Sequence, residues 1–210
     1  MPSKPPIPLL PGRFYHLYNH AIGDENIFRK RENYFYFLRQ YRKYIVPVAH
    51  TFAYNLLPNH FHLFLRIKNE KELLAHFHSL RDPMLAEVNE IDYAKFTIQQ
   101  FSNFMNGYVK AYNKMFKRKG ALVLDFVRRK EVSESAYFIN LINYIHWNAV
   151  LHGLCDRPED WEFSSLHAFL KGGKTQLQIE EVLKWFSGKE RFFTIHKSGR
   201  IQLPSDIDFA

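Results

Sequence analysis

The hydrophobic and polar positions of Arg13 to Asn19 read as a strand with Tyr15, Leu17 and Asn19 on one side and Phe14, His16 and Tyr18 on the other, so that both faces carry aromatics. Asp24 to Phe28 reads as loop. From Lys30 to Ile45 the spacing becomes helical, with Tyr34, Phe37, Leu38, Tyr41 and Ile45 at three- and four-residue intervals and Arg39, Arg42 and Lys43 on the other side. Pro47 ends that helix, Val48 to Leu56 is strand-like, and Leu57-Pro58-Asn59 is a turn that returns the chain as a strand beginning at His60. Phe61, Leu63, Leu65 and Ile67 form the apolar face of this last strand. The order so far is β-α-β-β.

Lys71 to Leu80 reads as helix, and Arg81 to Asp92, which has no clear period, as loop. Tyr93 to Lys117 repeats Phe101, Phe104, Met105, Tyr108 and Tyr112 in helical register. Lys117-Arg118-Lys119-Gly120 gives that helix a basic last turn and a glycine stop. Ala121 to Val127 is expected to be a fourth strand, completing β-α-β-β-α-β, with Arg128-Arg129-Lys130 directly after it. A further helix is expected from Ser133, as N-cap, to a stop near Gly153. Beyond it a helix is expected from Ile179 to Phe186, followed by a short strand or loop. The chain thus divides into a proline-rich lead over 1–12, a domain over 13–153 and a C-terminal extension over 154–210, with no internal repeat.

The strand that starts at His60 carries chemistry on its second face. His60 and His62 project together, with Phe64 and Arg66. Two neutral imidazoles side by side can hold one divalent metal and leave positions open for a substrate phosphate. On spacing alone, a histidine pair on a strand is more often partly buried and hydrogen-bonded than metal-binding. His76-Phe77-His78 repeats the triplet within a helix, where residues two apart point about 200° away from each other, so that pair cannot close on one ion. On the Ser133 to Gly153 helix, Tyr137, Leu141, Tyr144, Ile145 and Asn148 share one broad face, and Tyr144 and Asn148 stand one turn apart. A tyrosine at the edge of an apolar arc is also ordinary packing.

With 210 residues, 46% of them hydrophobic and 17% aromatic, the chain can bury a good core and is not disordered. The net charge of +8 points to a polyanionic partner, and no apolar window is long enough to span a bilayer, so nucleic acid is favoured over membrane. The clusters Lys117, Arg118, Lys119 and Arg128, Arg129, Lys130 are the leading candidates for phosphate contact; Arg29, Lys30, Arg31, Lys110 and Lys114 are further positions that could track a strand. Met1 to Pro8 lacks the apolar core of a signal peptide, and the single Cys155 cannot form an internal disulfide, so a reducing cytoplasm is expected.

Four blocks carry a resemblance. Leu57-Pro58-Asn59-His60-Phe61-His62, then Tyr144-Ile145-His146-Trp147-Asn148-Ala149-Val150-Leu151-His152-Gly153-Leu154, then Trp161-Glu162-Phe163-Ser164-Ser165, resemble the REP-associated tyrosine transposases, relatives of the small single-tyrosine insertion-sequence transposases. The opening Tyr15-His16-Leu17-Tyr18-Asn19 looks like that family's first strand. The blocks are collinear and span roughly Arg13 to Leu170.

The resemblance implies an α+β fold: a ferredoxin-like βαββαβ sheet with helices on one face, forming an HUH single-tyrosine catalytic domain over 13–153, plus a C-terminal helical extension. It implies a metal-dependent single-stranded DNA endonuclease and strand transferase that cuts at hairpin-forming repeats. His60 and His62 would bind the ion, Tyr144 would attack the phosphodiester to leave a 5′-phosphotyrosine bond, and Asn148 would complete the metal site. Mg²⁺ or Mn²⁺ suits such a site, although a histidine pair does not by itself exclude Zn²⁺. The implied partner is single-stranded DNA with hairpin-forming repeats, and a homodimer is compatible with this. The chemistry agrees: a phenol of pKa near 10 is a poor nucleophile at neutral pH unless the phosphate is made electrophilic and the ring is held in line.

Two other functions fit the residues. One is a non-catalytic DNA-binding protein of the same fold; the other is a phosphodiesterase acting on RNA with a metal-activated water, which needs the histidines but not Tyr144. Tyr108 and Tyr112 are rival nucleophiles on the preceding helix. Ala149 stands where the family usually has proline, so the helix is expected to continue past Asn148. Leu124, Asp125 and Phe126 replace the more basic residues common before Arg128.

Overall fold

The computed structural model describes residues 7–82, 88–123, 127–133 and 135–199. In chain order the elements are β1 (Phe14–His20), α1 (Arg31–Tyr44), β2 (Ala49–Leu56), β3 (His60–Ile67), α2 (Glu70–Ser79), α3 (Tyr93–Met115), β4 (Arg128–Glu131), α4 (Ser135–Leu151), α5 (Leu166–Lys171), α6 (Ile179–Trp185) and α7 (Lys189–Lys197). The four strands lie in the order β2-β3-β1-β4, every neighbouring pair antiparallel. This is the expected βαββαβ sheet, with α2 inserted between β3 and α3. No helix among the described residues is long and apolar enough to cross a membrane.

The alternation along each strand sorts the side chains into two cores. Tyr15 and Leu17 of β1 and Phe61, Leu63, Leu65 and Ile67 of β3 face α1 and α3, where they meet Phe37, Phe101, Phe104 and Tyr108. The helices of the βαββαβ unit therefore share one face, as expected. Helix α4 covers the opposite face. There Phe52, Ala53 and Phe64 join Phe138, Leu141, Ile145 and Tyr144, and the core is completed by Leu166, Phe169, Val182, Phe186 and Phe192 from α5, α6 and α7. A shift of register between Thr51 and Ala53 accommodates this: the bulge lets Phe52 and Ala53 both serve the α4 side, while Thr51 bonds Tyr41 on the α1 side.

Two expectations are corrected. The fourth strand is Arg128–Glu131, not Ala121 to Val127. Leu122 packs into the first core and Val123 makes only an isolated bridge to Ala21; Leu124, Asp125 and Phe126 lie outside the described residues. Charged side chains are tolerated in β4 because it is an edge strand, open to water along one side. The stretch after Phe186, expected as strand or loop, is helix α7. Gly188, at φ 114°, breaks the chain away from α6, and Phe192 then stacks on His196 one turn later with centroids 4.0 Å apart. Helix α4 begins at Ser135, two residues past the Ser133 cap.

The free edge of β2 is also covered. Leu56 N–H donates to Phe163 O at 3.1 Å and Ser165 N–H donates to Tyr54 O at 2.9 Å, so the Trp161 to Ser165 block is laid along that edge. Trp161 Nε1–H donates to Leu56 O at 3.0 Å and pins the block in register.

Candidate active site

The histidine face of the sheet lies under α4. Along β1, His16, Tyr18 and His20 point to the same side as His60 and His62 of β3, because Tyr18 pairs with His62 and His20 with His60 across the antiparallel ladder. His16 Nε2 and His62 Nδ1 are 3.0 Å apart, and His20 stacks on His60 with centroids 4.5 Å apart and planes 9° from parallel. From α4, Tyr144 stands edge-on to His62 at 5.5 Å and to His16 at 6.5 Å. One turn on, Asn148 Oδ1 lies 2.9 Å from His60 Nε2. A further turn on, His152 meets His60 with centroids 4.6 Å apart. His60, His62, Tyr144 and Asn148, separated by up to 88 positions in the chain, thus meet on one face.

Helix α4 continues to Leu151, past Asn148, as the alanine at 149 leads one to expect. The amide of Asn148 nevertheless points at His60. Burial makes the imidazoles neutral: His60 is pushed down to about 4, with the Asn148 contact opposing and His20 and His152 reinforcing. His16 is pushed down to about 3 by burial and then by the nearby Lys130 ammonium, and His62 falls well below the usual value by burial and then by its neighbour His16. Tyr144 is shifted the other way. Burial holds its phenol protonated, while Asn148, close by, eases the ionisation and Tyr18 opposes it.

The donor set suits a divalent cation. A neutral imidazole has one N–H and one lone pair, and His60 faces an amide oxygen on both sides: Asn59 Oδ1 at 2.8 Å from Nδ1 and Asn148 Oδ1 at 2.9 Å from Nε2. With Nδ1–H donating to Asn59, the Nε2 lone pair lies on the side of Asn148, where imidazole and amide could together face a cation. Asn59 then has the place of the outer hydrogen-bond partner that orients a ligating histidine. His16 is placed to do the same for His62, accepting its Nδ1–H and leaving the other ring nitrogen its lone pair. Among the described residues no group of three or more His, Cys, Asp or Glu side chains is arranged to hold a metal ion, and the donors that could face one here are two imidazoles and one amide, all uncharged. An ion held by neutral donors keeps its full charge for an anionic substrate.

A second chain of imidazoles fixes α4 in place. His196 Nδ1–H donates to Phe192 O at 2.8 Å, so its Nε2 accepts from His146 Nδ1–H at 2.8 Å. His146 Nε2 in turn accepts the Ser165 hydroxyl at 2.7 Å, and Ser165 Oγ accepts Tyr54 N–H at 2.9 Å. Every proton in this line has one place. Asn55 adds another tie, its Nδ2 donating to Ile145 O at 2.7 Å. Burial keeps His146 and His196 neutral, His196 at about 4.

The basic clusters separate by face. Because Arg128 pairs with Tyr18 and Lys130 with His16, these two side chains flank the histidine face, whereas Arg129 and Glu131 pair with Leu17 and Tyr15 and turn to the other. Lys130 Nζ lies 5.7 Å from the Tyr137 ring. Arg129 donates to Ile7 O. Lys117 and Lys119 are exposed at the end of α3, but Arg118 is taken up locally: Nε donates to Glu25 at 3.0 Å, Nη1 to Asn113 Oδ1 at 3.1 Å and Nη2 to Ala121 O at 2.6 Å. The rival phenols lie in the other core, Tyr108 donating to Ile27 O and Tyr112 to Asn26 O, each at 2.6 Å. His76 and His78 sit on α2, away from both sets, and burial raises the Cys155 thiol, which is no activated nucleophile.

His16, His20, Asn59 and His152 are the site residues that the sequence-based candidates omit. The signal for the first two is present as Phe14, His16, Tyr18 and His20 at alternate positions, but only the β1–β3 register sets them against His60 and His62.

No protein-family model and no curated protein sequence matches the chain. The chain is similar to a solved structure, that of a REP-associated tyrosine transposase bound to a REP hairpin, with a TM-score of 0.57 over 83% of this chain and 89% of that one. The likeness is one of fold. At 12% identity it extends to the arrangement of strands and helices and does not by itself assign an activity.

Proposed function

We propose that the protein is a transposase-like, divalent-metal-dependent endonuclease and strand transferase for single-stranded DNA with hairpin-forming repeats. The observation that carries this reading is the convergence of Tyr144 with His60, His62 and Asn148 on one sheet face, in a fold like that of a transposase solved with a hairpin. His60, His62 and Asn148 would hold Mg²⁺ or Mn²⁺. Such an ion, when bound, supplies Lewis-acid polarisation of the scissile phosphate.

The residues of the chain do the rest. Tyr144 is fixed by a helix that the His146–His196 line and Asn55 anchor, which holds the phenol in a set direction. As its oxygen bonds to phosphorus, the phenol loses its proton and the 3′ oxygen leaves as a hydroxyl, so one proton passes out and one comes in. The product is a 5′-phosphotyrosine bond that retains the energy of the broken ester and can be resolved by another 3′ hydroxyl. Arg128 and Lys130, beside Tyr18 and His16, suit the strand's phosphates.

Incubating the protein with a single-stranded hairpin oligonucleotide and Mg²⁺ or Mn²⁺, then denaturing and digesting it, tests this. The expected product is a tryptic peptide with nucleotide mass on Tyr144. Cleavage with no adduct would instead favour a water-activating phosphodiesterase, and binding with neither would favour a non-catalytic DNA-binding protein.

A further inference from the structure

The closing turn of α4 carries a histidine that the proposed reaction leaves unused. His152 stands one turn past Asn148 and two turns past Tyr144, so the three side chains follow one another along the same helix face. Its backbone is set by the way the helix closes. His152 N–H donates to Asn148 O at 3.1 Å, and Gly153, at φ 67°, turns the chain so that Gly153 N–H reaches Val150 O and Leu154 N–H reaches Ala149 O, both at 2.9 Å. Glycine takes that left-handed conformation without strain. The His152 ring then rests against His60, with centroids 4.6 Å apart and planes 62° from parallel.

Tyr144 and His152 stand at opposite ends of the site. Tyr144 meets His62 and His16, His152 meets His60, and Asn148 lies between the two on the helix, its Oδ1 2.9 Å from His60 Nε2. Eight residues of helix separate the two backbone positions by about 12 Å along the axis, which leaves room for a phosphate between the side chains. Displacement at phosphorus runs in line, so the leaving oxygen departs on the side away from the attacking one. Attack from Tyr144 therefore sends the leaving oxygen towards His152. The ring is ready to meet it: His152 is exposed, and neither of its ring nitrogens is hydrogen-bonded among the described residues, whereas His60, His62 and His146 each have ring partners. Partial burial lowers its pKa, so the imidazole is neutral and keeps one N–H.

Resting on the strand-cutting role proposed above, we infer that His152 is a further catalytic residue, its ring N–H donating a hydrogen bond to the 3′ oxygen as that oxygen leaves phosphorus. In this step the Tyr144 oxygen bonds to phosphorus and its proton passes to water. The bond from phosphorus to the 3′ oxygen breaks with its electron pair going to that oxygen, and water at the exposed end supplies the proton that makes it a hydroxyl. His152 is neutral before and after. In the reverse direction the same nitrogen orients the 3′ hydroxyl that resolves the phosphotyrosine bond. A donor aimed at charge that develops only in the transition state speeds the step without tightening substrate binding.

The test uses the full chain with Mn²⁺ and two hairpin-bearing single-stranded oligonucleotides, identical except that the bridging 3′ oxygen at the mapped cut is sulfur in one. A thiolate is a more stable leaving anion than an alkoxide and needs no donor. His152→Ala should slow formation of the Tyr144 adduct about 100-fold with the oxygen substrate and hardly at all with the sulfur one. Mn²⁺ binding measured by calorimetry should match the wild type, and because His152 is exposed, folding is not at issue. An unchanged rate with both substrates, an equal loss with both, or loss of Mn²⁺ binding would overturn the role of His152, and a wild-type adduct alongside any of these leaves strand cutting standing. Absence of an adduct from the wild type with either substrate removes strand cutting and the role of His152 together.

Discussion

Tyrosines are buried on both faces of the sheet, but they end differently. Facing α1 and α3, Tyr41 is bonded to Thr51 Oγ1 at 2.7 Å, and Tyr108 and Tyr112 each donate to a backbone carbonyl at 2.6 Å. Facing α4, Tyr144 meets the edges of His16 and His62 and lies near Asn148, which eases its ionisation. Burial raises the pKa of Tyr108 as it does that of Tyr144, so neither burial nor the shift distinguishes them. The surroundings do: the phenols of Tyr108 and Tyr112 are bonded to backbone carbonyls of the packing, whereas Tyr144 stands beside uncharged imidazoles and the Asn148 amide.

The largest expected effect separates the faces outright. Tyr144→Phe removes one oxygen and conserves packing volume, so the DNA adduct should disappear from a denaturing gel while the urea midpoint hardly moves. Tyr108→Phe and Tyr112→Phe should keep the adduct, and an adduct that survives Tyr144→Phe would transfer the role to another phenol. Next comes the metal. Titration calorimetry with Mn²⁺ should show binding lost in His60→Ala and His62→Ala, and weakened about 10- to 100-fold in Asn59→Ala and His16→Ala, which remove only the orienting partner. Equal binding in all four would break the assignment.

A smaller effect is a pH dependence of stability. His16, His60 and His196 have folded pKa values of about 3, 4 and 4, below the usual imidazole value, so between those values and about 6.5 the unfolded chain binds more protons than the folded one. Their contribution is complete above about pH 6.5 and is lost as pH falls towards 4, with a slope of up to about 1.4 kcal/mol per pH unit for each histidine. Urea unfolding from pH 7 to 4.5 measures this, and His196→Gln should flatten the curve. A pH-independent midpoint would show that these rings are not held neutral. The smallest effect belongs to the packed face: Tyr108→Phe forfeits a hydrogen bond to Ile27 O, and about 1 kcal/mol of stability, with divalent-ion binding unchanged.

Local patterning was enough to reveal much of this molecule. The alternation of β1, β2 and β3, the apolar spacing of α1, α3 and α4, and the turn at Leu57-Pro58-Asn59 are short-range properties, and each element lies within a few residues of its expected bounds. The shared orientation of His60 and His62 follows from the strand period alone, as does the one-turn spacing of Tyr144 and Asn148 from the helical period. Where pattern and environment diverge, the sequence misleads: the apolar run Ala121 to Val127 reads as a strand, yet the basic Arg128–Glu131 pairs with β1, because an edge position lets charged side chains stay in water. What only the tertiary structure decided is which faces meet. His16 and His20 join His60 and His62 through the β1–β3 register, His146 is removed from the site into a line with His196 and Ser165, and Arg118 is drawn to Glu25 while Arg128 and Lys130 flank the histidines. Periodicity states which side chains share a face. Which two faces are pressed together depends on burying aromatic surface from distant elements at once, a long-range cooperative choice that no window of sequence contains.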